Sequence, residues 1–261
     1  ASLPGTIFAA GAVAKVNTDH IANVALRNFS DPSRSYYQGL SRIAPGTQVV
    51  IDRERVRRSR FWQPGNIRRV RIDDPREALE QAEPLVREAV AAALEGSAQP
   101  AISLSGGLDS QTIASFSLEH LGDGTKLRSY TAVPVQKWLP KHDSRLTYDE
   151  SENVRALARH WPHLEPSFIS GEELQFGAYS KELMQLGAWP TANEMNMHWV
   201  HAIHRQAAAD GSDIMLHAEL GDSSISYDAL TAFPEWLVRG RWLKLAKELR
   251  LYRDDRPILK R

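Results

Sequence analysis

Ala101-Ile102-Ser103-Leu104-Ser105-Gly106-Gly107-Leu108-Asp109-Ser110-Gln111 is the stretch whose reading decides the fold. A short apolar run enters a Ser-Gly-Gly turn, and the helix-like run Thr112–Leu118 follows. Strand, glycine turn and helix N-terminus together build an anion pocket from backbone N–H groups. Two consecutive glycines let the main chain approach a phosphate with no Cβ in the way. Ser105 and Ser110 offer hydroxyl donors. Asp109 repels a phosphate but suits the cation that accompanies one. The loop lacks the Gly-Lys-Ser/Thr ending of the usual P-loop, so metal must do more of the neutralising. Its glycine spacing is also wrong for a dinucleotide fingerprint.

Outward from this loop, strand and helix patterns alternate. Before it, Leu79, Ala82, Val86, Ala89, Val90 and Ala93 fall on one face of a helix over Glu77–Leu94, with Pro84 expected to kink it or mark its first turn. After it come a helix to Leu121, a strand over Arg128–Val135 ended by Pro134, and a polar loop over Trp138–Asp149. Next are a helix over Glu150–Trp161, a strand over Pro166–Ile169, and helices over Glu172–Leu186 and Glu194–Ala209. A strand at Ile214–Leu216 and a mostly helical Leu230–Leu251 complete the pattern. The alternation predicts an α/β fold, a parallel sheet sandwiched by helices. Ligands in such sheets sit beyond the C-terminal strand ends, where Ser105–Ser110 would lie.

A second constellation, Leu216-His217-Ala218-Glu219-Leu220-Gly221-Asp222-Ser223-Ser224, also follows a short apolar strand. In a parallel sheet it can sit beside the first. Asp109 and Asp222 would then face each other across a triphosphate with Mg2+ between them. Glu219, three residues before Asp222, is placed to orient an amine or receive its proton. Weaker signals read more simply. Asp149-Glu150-Ser151-Glu152 supplies favourable charges to a helix N-terminus. Asn193 caps the helix that follows it. His198, His201 and His204 share a helix face as surface or partly buried histidines rather than a zinc site. The tryptophans are core or interface anchors.

The 261 residues can form one large or two smaller domains. Lys+Arg and Asp+Glu both number 32, which argues against a general nucleic-acid surface. Without cysteine, disulfides, thiolate metal sites and a cysteine nucleophile are excluded from this stretch, and a cytoplasmic location fits. No apolar run of about 18 residues suggests a membrane span, and Ala1–Ala14 lacks the basic start of a signal peptide. Residues 1–64 carry short β-like runs: Gln48–Ile51 follows a turn, and basic Arg53–Arg60 reads as part of a solvated strand pair. Pro64 to Asp74 reads as a linker, dividing the chain into 1–64 and 65–261. The start without methionine and the basic polar ending suggest a piece of a longer polypeptide.

Leu104–Ser110 resembles the pyrophosphatase loop of the asparagine synthetase family, in the branch that adenylates a carboxylate. Tyr36-Tyr37-Gln38-Gly39-Leu40-Ser41-Arg42-Ile43-Ala44-Pro45-Gly46 and Arg60-Phe61-Trp62-Gln63-Pro64 resemble that family's hand-over from a glutaminase-like to a synthetase domain. Ordinary asparagine synthetases carry Ser-Gly-Glu-Gly-Ser-Asp-Glu at the second loop. This chain keeps the acids as Glu219 and Asp222 but has Ser223 in place of the following glutamate, which argues against free aspartate as substrate. The Ile225-Ser226-Tyr227-Asp228 ending, with Asn193 and Trp199 upstream, is similar to the asparagine-synthase-related macrolactam cyclases of lasso peptide clusters.

The resemblance implies an adenine nucleotide alpha hydrolase-like fold. Residues 1–64 would be the tail of an N-terminal glutaminase-like domain. Residues 65–261 would be an ATP-binding synthetase or cyclase domain cut short at its C-terminus. It implies nucleotide contacts at Leu104, Ser105, Gly106, Gly107, Leu108, Asp109, Ser110, Val133 and Gly221. Asp109 and Asp222 would hold Mg2+, and Glu219, Asp109 and Asp222 would carry catalysis. The implied reaction is AMP-forming amide ligation that closes a precursor peptide between an Asp or Glu side chain and its N-terminal amine. A leader-binding or protease partner of the same pathway is expected, with neither nucleic acid nor membrane involved. The alternatives are an asparagine or β-lactam-type synthetase, and an inactive nucleotide-binding scaffold. Enzymes of related fold that modify tRNA bases are a weaker alternative, ill matched to the neutral charge and missing thiols.

Overall fold

The computed structural model describes residues 2–68, 70–135, 149–171, 177–190, 193–221, 226 and 232–255. The N-terminal segment holds two short helices, α1 (Pro4–Ala9) and α2 (Thr18–Ala25), then a hairpin of β1 (Thr47–Ile51) and β2 (Val56–Arg60). The hairpin is the solvated strand pair expected; its strands run antiparallel and β2 is fully exposed. The helices were not expected. α1 starts on Pro4, and Asn17 caps α2 by accepting the His20 N–H. Tyr37 ties this segment down: its hydroxyl donates to the Ala188 carbonyl, and its ring meets Phe8 edge-on.

Helix α3 (Pro75–Leu94) opens where Asp74 accepts the Arg76 N–H, and it runs unbroken through Pro84. Proline removes one helical hydrogen bond, but the C-terminal half is held by Val90 and Leu94, buried in the core. Leu79, expected on the inner face, is exposed because the first turns of α3 overhang that core.

The sheet begins with β3 (Pro100–Ser103), followed by α4 (Leu108–Leu121), β4 (Leu127–Val133), α5 (Ser151–His160) and β5 (Leu164–Ser170). Then come α6 (Ser180–Gly187), α7 (Glu194–Ala209), β6 (Ile214–Leu216), α8 (Ala232–Val238) and α9 (Trp242–Asp255). All pairings in the four-stranded sheet are parallel, in the order β5-β4-β3-β6. β5 extends beyond its expected limits and contains Pro166, which an edge strand tolerates. The expected helix over Leu230–Leu251 is two, broken near Gly240 in the left-handed region. The expected helix over Glu172–Leu186 is α6, with 172–176 outside the described residues; so is 138–148 of the expected polar loop.

Alternation along the strands builds a core on each face. Ile102, Leu104, Leu127 and Leu216 pack with Val90, Leu94, Ala114, Leu118 and Val154 of α3, α4 and α5. Ala101 and Tyr130 face the other way, onto Ile203 and Ala207 of α7. A fully buried side chain of this kind contributes about 1.5–3 kcal/mol. Tyr130 also donates to Asp210 Oδ2 at 2.7 Å, pinning the end of α7 to the sheet. The sandwich of helices about a parallel sheet is thus present. Among the described residues no helix is long and apolar enough to cross a membrane.

From β3 the chain steps outward to β4 and β5, then returns to the other side of β3 as β6. The order reverses between β3 and β6, and such a reversal opens a crevice at the carboxyl ends of the two strands.

Candidate active site

The two loops singled out in the sequence leave the sheet on either side of that crevice. Ile102 pairs with Leu216, so Ser103–Ser105 and His217–Glu219 depart side by side. A cavity of about 370 Å³ opens between them, lined among others by Leu104, Ser105, Ser110, Glu150, Trp199 and Glu219.

The loop is fixed from within. Ser110 is buried. Its hydroxyl accepts the Ser105 N–H at 3.1 Å and lies 2.8 Å from Ser105 Oγ. It also reaches the carbonyls of Ser105 and Gly107. Ser105 Oγ accepts the Gly107 N–H, and Gln111 donates to the Gly106 carbonyl. Both hydroxyls expected as ligand donors therefore hold the shape of the turn here.

Helix α4 starts at Leu108, with Gly107 as its N-cap, four residues earlier than expected. Asp109 and Ser110 thus lie in its first turn, where N–H groups have no partner one turn back and the helix dipole favours negative charge. Leu108 is almost fully exposed.

Gly106 is clamped by α5. Its N–H donates to Glu150 Oε2 at 3.0 Å, and a Cβ there would lie 2.8 Å from both Glu150 Cβ and Asn153 Nδ2. Glu150 read in the sequence as one of several helix N-terminal charges. Asp149 does that work instead, accepting the Ser151 N–H at 2.9 Å. The Ser151 N–H and hydroxyl hold the Asp149 carboxyl below the ordinary aspartate range. Glu150 is left to reach the loop.

Asp109 meets the second loop. Ser226 donates its hydroxyl to Asp109 Oδ2 at 2.8 Å, and Gly221 abuts the same carboxylate. Gly221 accepts the Ser226 N–H at 3.2 Å, so the two ends of 221–226 close on each other beside Asp109. Asp222 lies between them and outside the described residues, as do Ser223 and Ser224. Among the described residues no group of three or more histidine, cysteine or acidic side chains is placed to hold a metal.

The expected site residues divide accordingly. Leu104, Ser105, Ser110 and Glu219 share the cavity. Gly106, Gly107, Leu108, Asp109 and Gly221 form the adjoining loop contacts without lining it. Val133 ends β4 partly buried, and the cavity is lined from that strand by Thr131 and Ala132. Asn193 is not a side-chain cap: it adopts the left-handed conformation, which asparagine tolerates, and its carbonyl accepts from Asn196 and Met197. Of the three α7 histidines, His201 stands 3.3 Å from Glu182, and His204 Nε2 lies 3.0 Å from His217 Nε2. Partial desolvation, then His217 and His201, hold the His204 imidazole below the ordinary histidine range, while Glu219 acts in the opposite direction.

The family model described as asparagine synthase matches residues 81–258. Among solved structures, the chain is similar to an NH3-dependent NAD synthetase from Campylobacter jejuni in complex with nitrate, at 15% identity and a TM-score of 0.35, over 60% of this chain and 62% of that one. It is also similar to a U34-tRNA thiolase from Methanococcus maripaludis, at 17% identity and a TM-score of 0.38, over 64% of this chain and 52% of that one. The chain thus spans less than two thirds of either structure. No curated protein sequence matches it.

Proposed function

Because the chain belongs to the asparagine synthase family, we propose that it is an ATP-dependent, AMP-forming amide ligase. The observation that carries this reading is the meeting of Asp109 with Gly221 and Ser226 beside the β3/β6 crevice. A glycine-rich anion loop and an acid are held together there, where a nucleotide's phosphates would enter. The residues fit Mg-ATP: α4 offers first-turn N–H groups to phosphate oxygens, and Asp109 offers one carboxylate. Mg2+ needs only one or two carboxylates when phosphates complete its shell. Asp109 is the described ligand in this reading, and Asp222, next to Gly221, is the second. When bound, the ion neutralises the leaving pyrophosphate.

The chain's own groups then divide the work. The first-turn N–H groups of α4 orient the triphosphate so that a substrate carboxylate can reach the α-phosphorus, giving an acyl-adenylate and pyrophosphate. Glu219 takes a proton from the acceptor amine as it attacks the activated carbonyl, and AMP leaves. Trp199 and Ile203 wall the cavity against water.

Within this class we favour macrolactam closure of a precursor peptide, between an Asp or Glu side chain and the N-terminal amine. The Ser223 and Ile225–Asp228 positions support it by resemblance. So does a second, largely apolar cleft of about 580 Å³ between the N-terminal segment and α6–α7, lined by His20, Arg42, Trp189 and Met197. Helix α7 borders both spaces, giving an extended substrate more wall than one amino acid needs. Holding both ends of one peptide would supply much of the advantage for ring closure.

The test is mass spectrometry of the protein with Mg-ATP and a candidate precursor peptide. Loss of one water from the peptide with stoichiometric AMP is expected. Asparagine formed from free aspartate would replace the cyclase by a small-substrate synthetase. Release of ADP instead of AMP would remove the reading altogether.

A further inference from the structure

His204 on α7 and His217 at the end of β6 face each other with Nε2 atoms 3.0 Å apart and ring planes at 89°. At that distance two N–H groups cannot point at one another, so one ring donates and the other accepts. Both rings line the catalytic cavity with Glu219. Both also line a second groove of about 420 Å³ on β6 and α7, beside Ser212 and Asp213. The pair is therefore a partition between two spaces, crossed by a single N–H···N bond.

The chemistry proposed for the inner space has protons to remove. An ammonium group must lose one before it can attack, and the nitrogen loses another once the C–N bond has formed. Glu219 can take one proton at a time and must be emptied to act again.

We propose that His204 and His217 form a proton relay that empties Glu219 into the solvent of the outer groove during amide formation. The relay rests on the ligase reading above. Glu219 first takes one proton from the ammonium group and is emptied through the pair. As the free amine nitrogen then bonds to the acyl carbon, the carbonyl π pair moves onto oxygen. Glu219, emptied, takes the second proton from nitrogen. The oxygen pair then returns to re-form the carbonyl, and the C–O bond to AMP breaks with its electrons on AMP. Protonated Glu219 gives its proton to the histidine pair through water in the cavity, the Nε2–H···Nε2 bond passes it on, and water in the groove accepts it.

The surroundings suit this task. His204 is held towards its neutral form by partial desolvation, His217 and His201, so it can accept a proton at neutral pH. Glu219 is the carboxylate acting on it from the β6 side. The other charged groups nearby have partners of their own. Glu182 on α6 faces His201 and Arg205. Asp213 is held by Ser97, Ala98 and Gln99. Glu150, across the cavity, holds Gly106.

The test compares wild type with H204N and H217N. Each is given Mg-ATP and a peptide with an acetylated N-terminus and a single Asp side chain, plus either ammonium chloride or hydroxylamine as the amine. Hydroxylamine is already unprotonated at neutral pH, so it needs no proton removed before attack. Both variants should lower the rate with ammonium relative to hydroxylamine by about tenfold or more. The 15N-histidine spectrum of wild type should show the two rings titrating as a coupled pair, and H204N should turn His217 into a single independent site.

An equal fall with both amines would make the pair a packing feature. Independent titration in wild type would overturn the relay. So would a change of the imidazole signals on adding EDTA, because the pair would then be a metal clamp. A wild type that releases no AMP with either amine removes the ligase reading and the relay together. A competent wild type with unaffected variants removes the relay alone.

Discussion

Asp109 stands so close to the main chain of Gly221 that a Cβ added there would fall 2.2 Å from Asp109 Oδ2 and 2.5 Å from its Cγ. The carboxylate, held in the first turn of α4, cannot retreat without giving up its Ser226 bond. Gly221→Ala must therefore push the second loop away from the first. The expected result is a stability loss of about 1–3 kcal/mol and a loss of Mg-ATP binding larger than that change explains. Thermal unfolding and calorimetric titration with Mg-ATP separate the two. Unaltered affinity would show that the two loops need not touch for the nucleotide to bind.

Asp109→Ala tests the charge rather than the contact. The variant keeps Gly221 and removes the described carboxylate assigned to the ion. AMP release should be abolished in a form of the enzyme that is otherwise competent, and Asp222→Ala should do the same. Full turnover in either variant would take that residue out of the mechanism.

Glu150 places a negative charge on the Gly106 N–H, a donor that a phosphate oxygen could also use. Glu150→Gln keeps an oxygen acceptor and removes the charge. Relief of like-charge repulsion worth roughly 1 kcal/mol should tighten Mg-ATP binding by about fivefold. A weaker affinity would mean that Glu150 itself engages the ion or the nucleotide.

Local pattern carried the sheet and most of its helices. Pro134 ends β4 where proline must end a central strand, and the apolar run at Ile214–Leu216 is β6 within the expected limits. The α4 boundary moved because Asp109 and Ser110 look like turn residues in isolation; only the folded loop shows Ser110 bonded inwards. What the pattern could not register were contacts made by the fold. Gly106 and Glu150 are 44 residues apart, and Tyr130 and Asp210 are 80 apart. His204 was visible as one of three histidines on a helix face, but its partner arrives from the next strand. The short helices α1 and α2 fell below what periodicity detects, since helices of 6 and 8 residues depend on caps and tertiary contacts rather than on propensity. Asp222 was legible as the acid of the second loop, and its sequence neighbour Gly221 is the residue that meets Asp109.

Asp213 sets an acid limit on the fold. It precedes β6, and its carboxylate gathers the chain entering β3: Oδ1 accepts the Ser97 hydroxyl at 2.5 Å, and Oδ2 accepts the Ala98 and Gln99 N–H groups at 2.7 and 3.1 Å. The Ser97 hydroxyl first, then the Ala98 N–H, hold its carboxyl below the ordinary aspartate range. A group depressed on folding stabilises fully above its unfolded value, and the stabilisation fades as pH falls through the folded one. Thermal melts between about pH 5 and pH 2 should therefore show a steeper decline for wild type than for Asp213→Asn, because the variant lacks this titration. At neutral pH the variant should melt lower, having exchanged a charged acceptor for a neutral one. Parallel curves for the two proteins would show that the junction of β3 and β6, from which both loops leave the sheet, is held without help from the Asp213 charge.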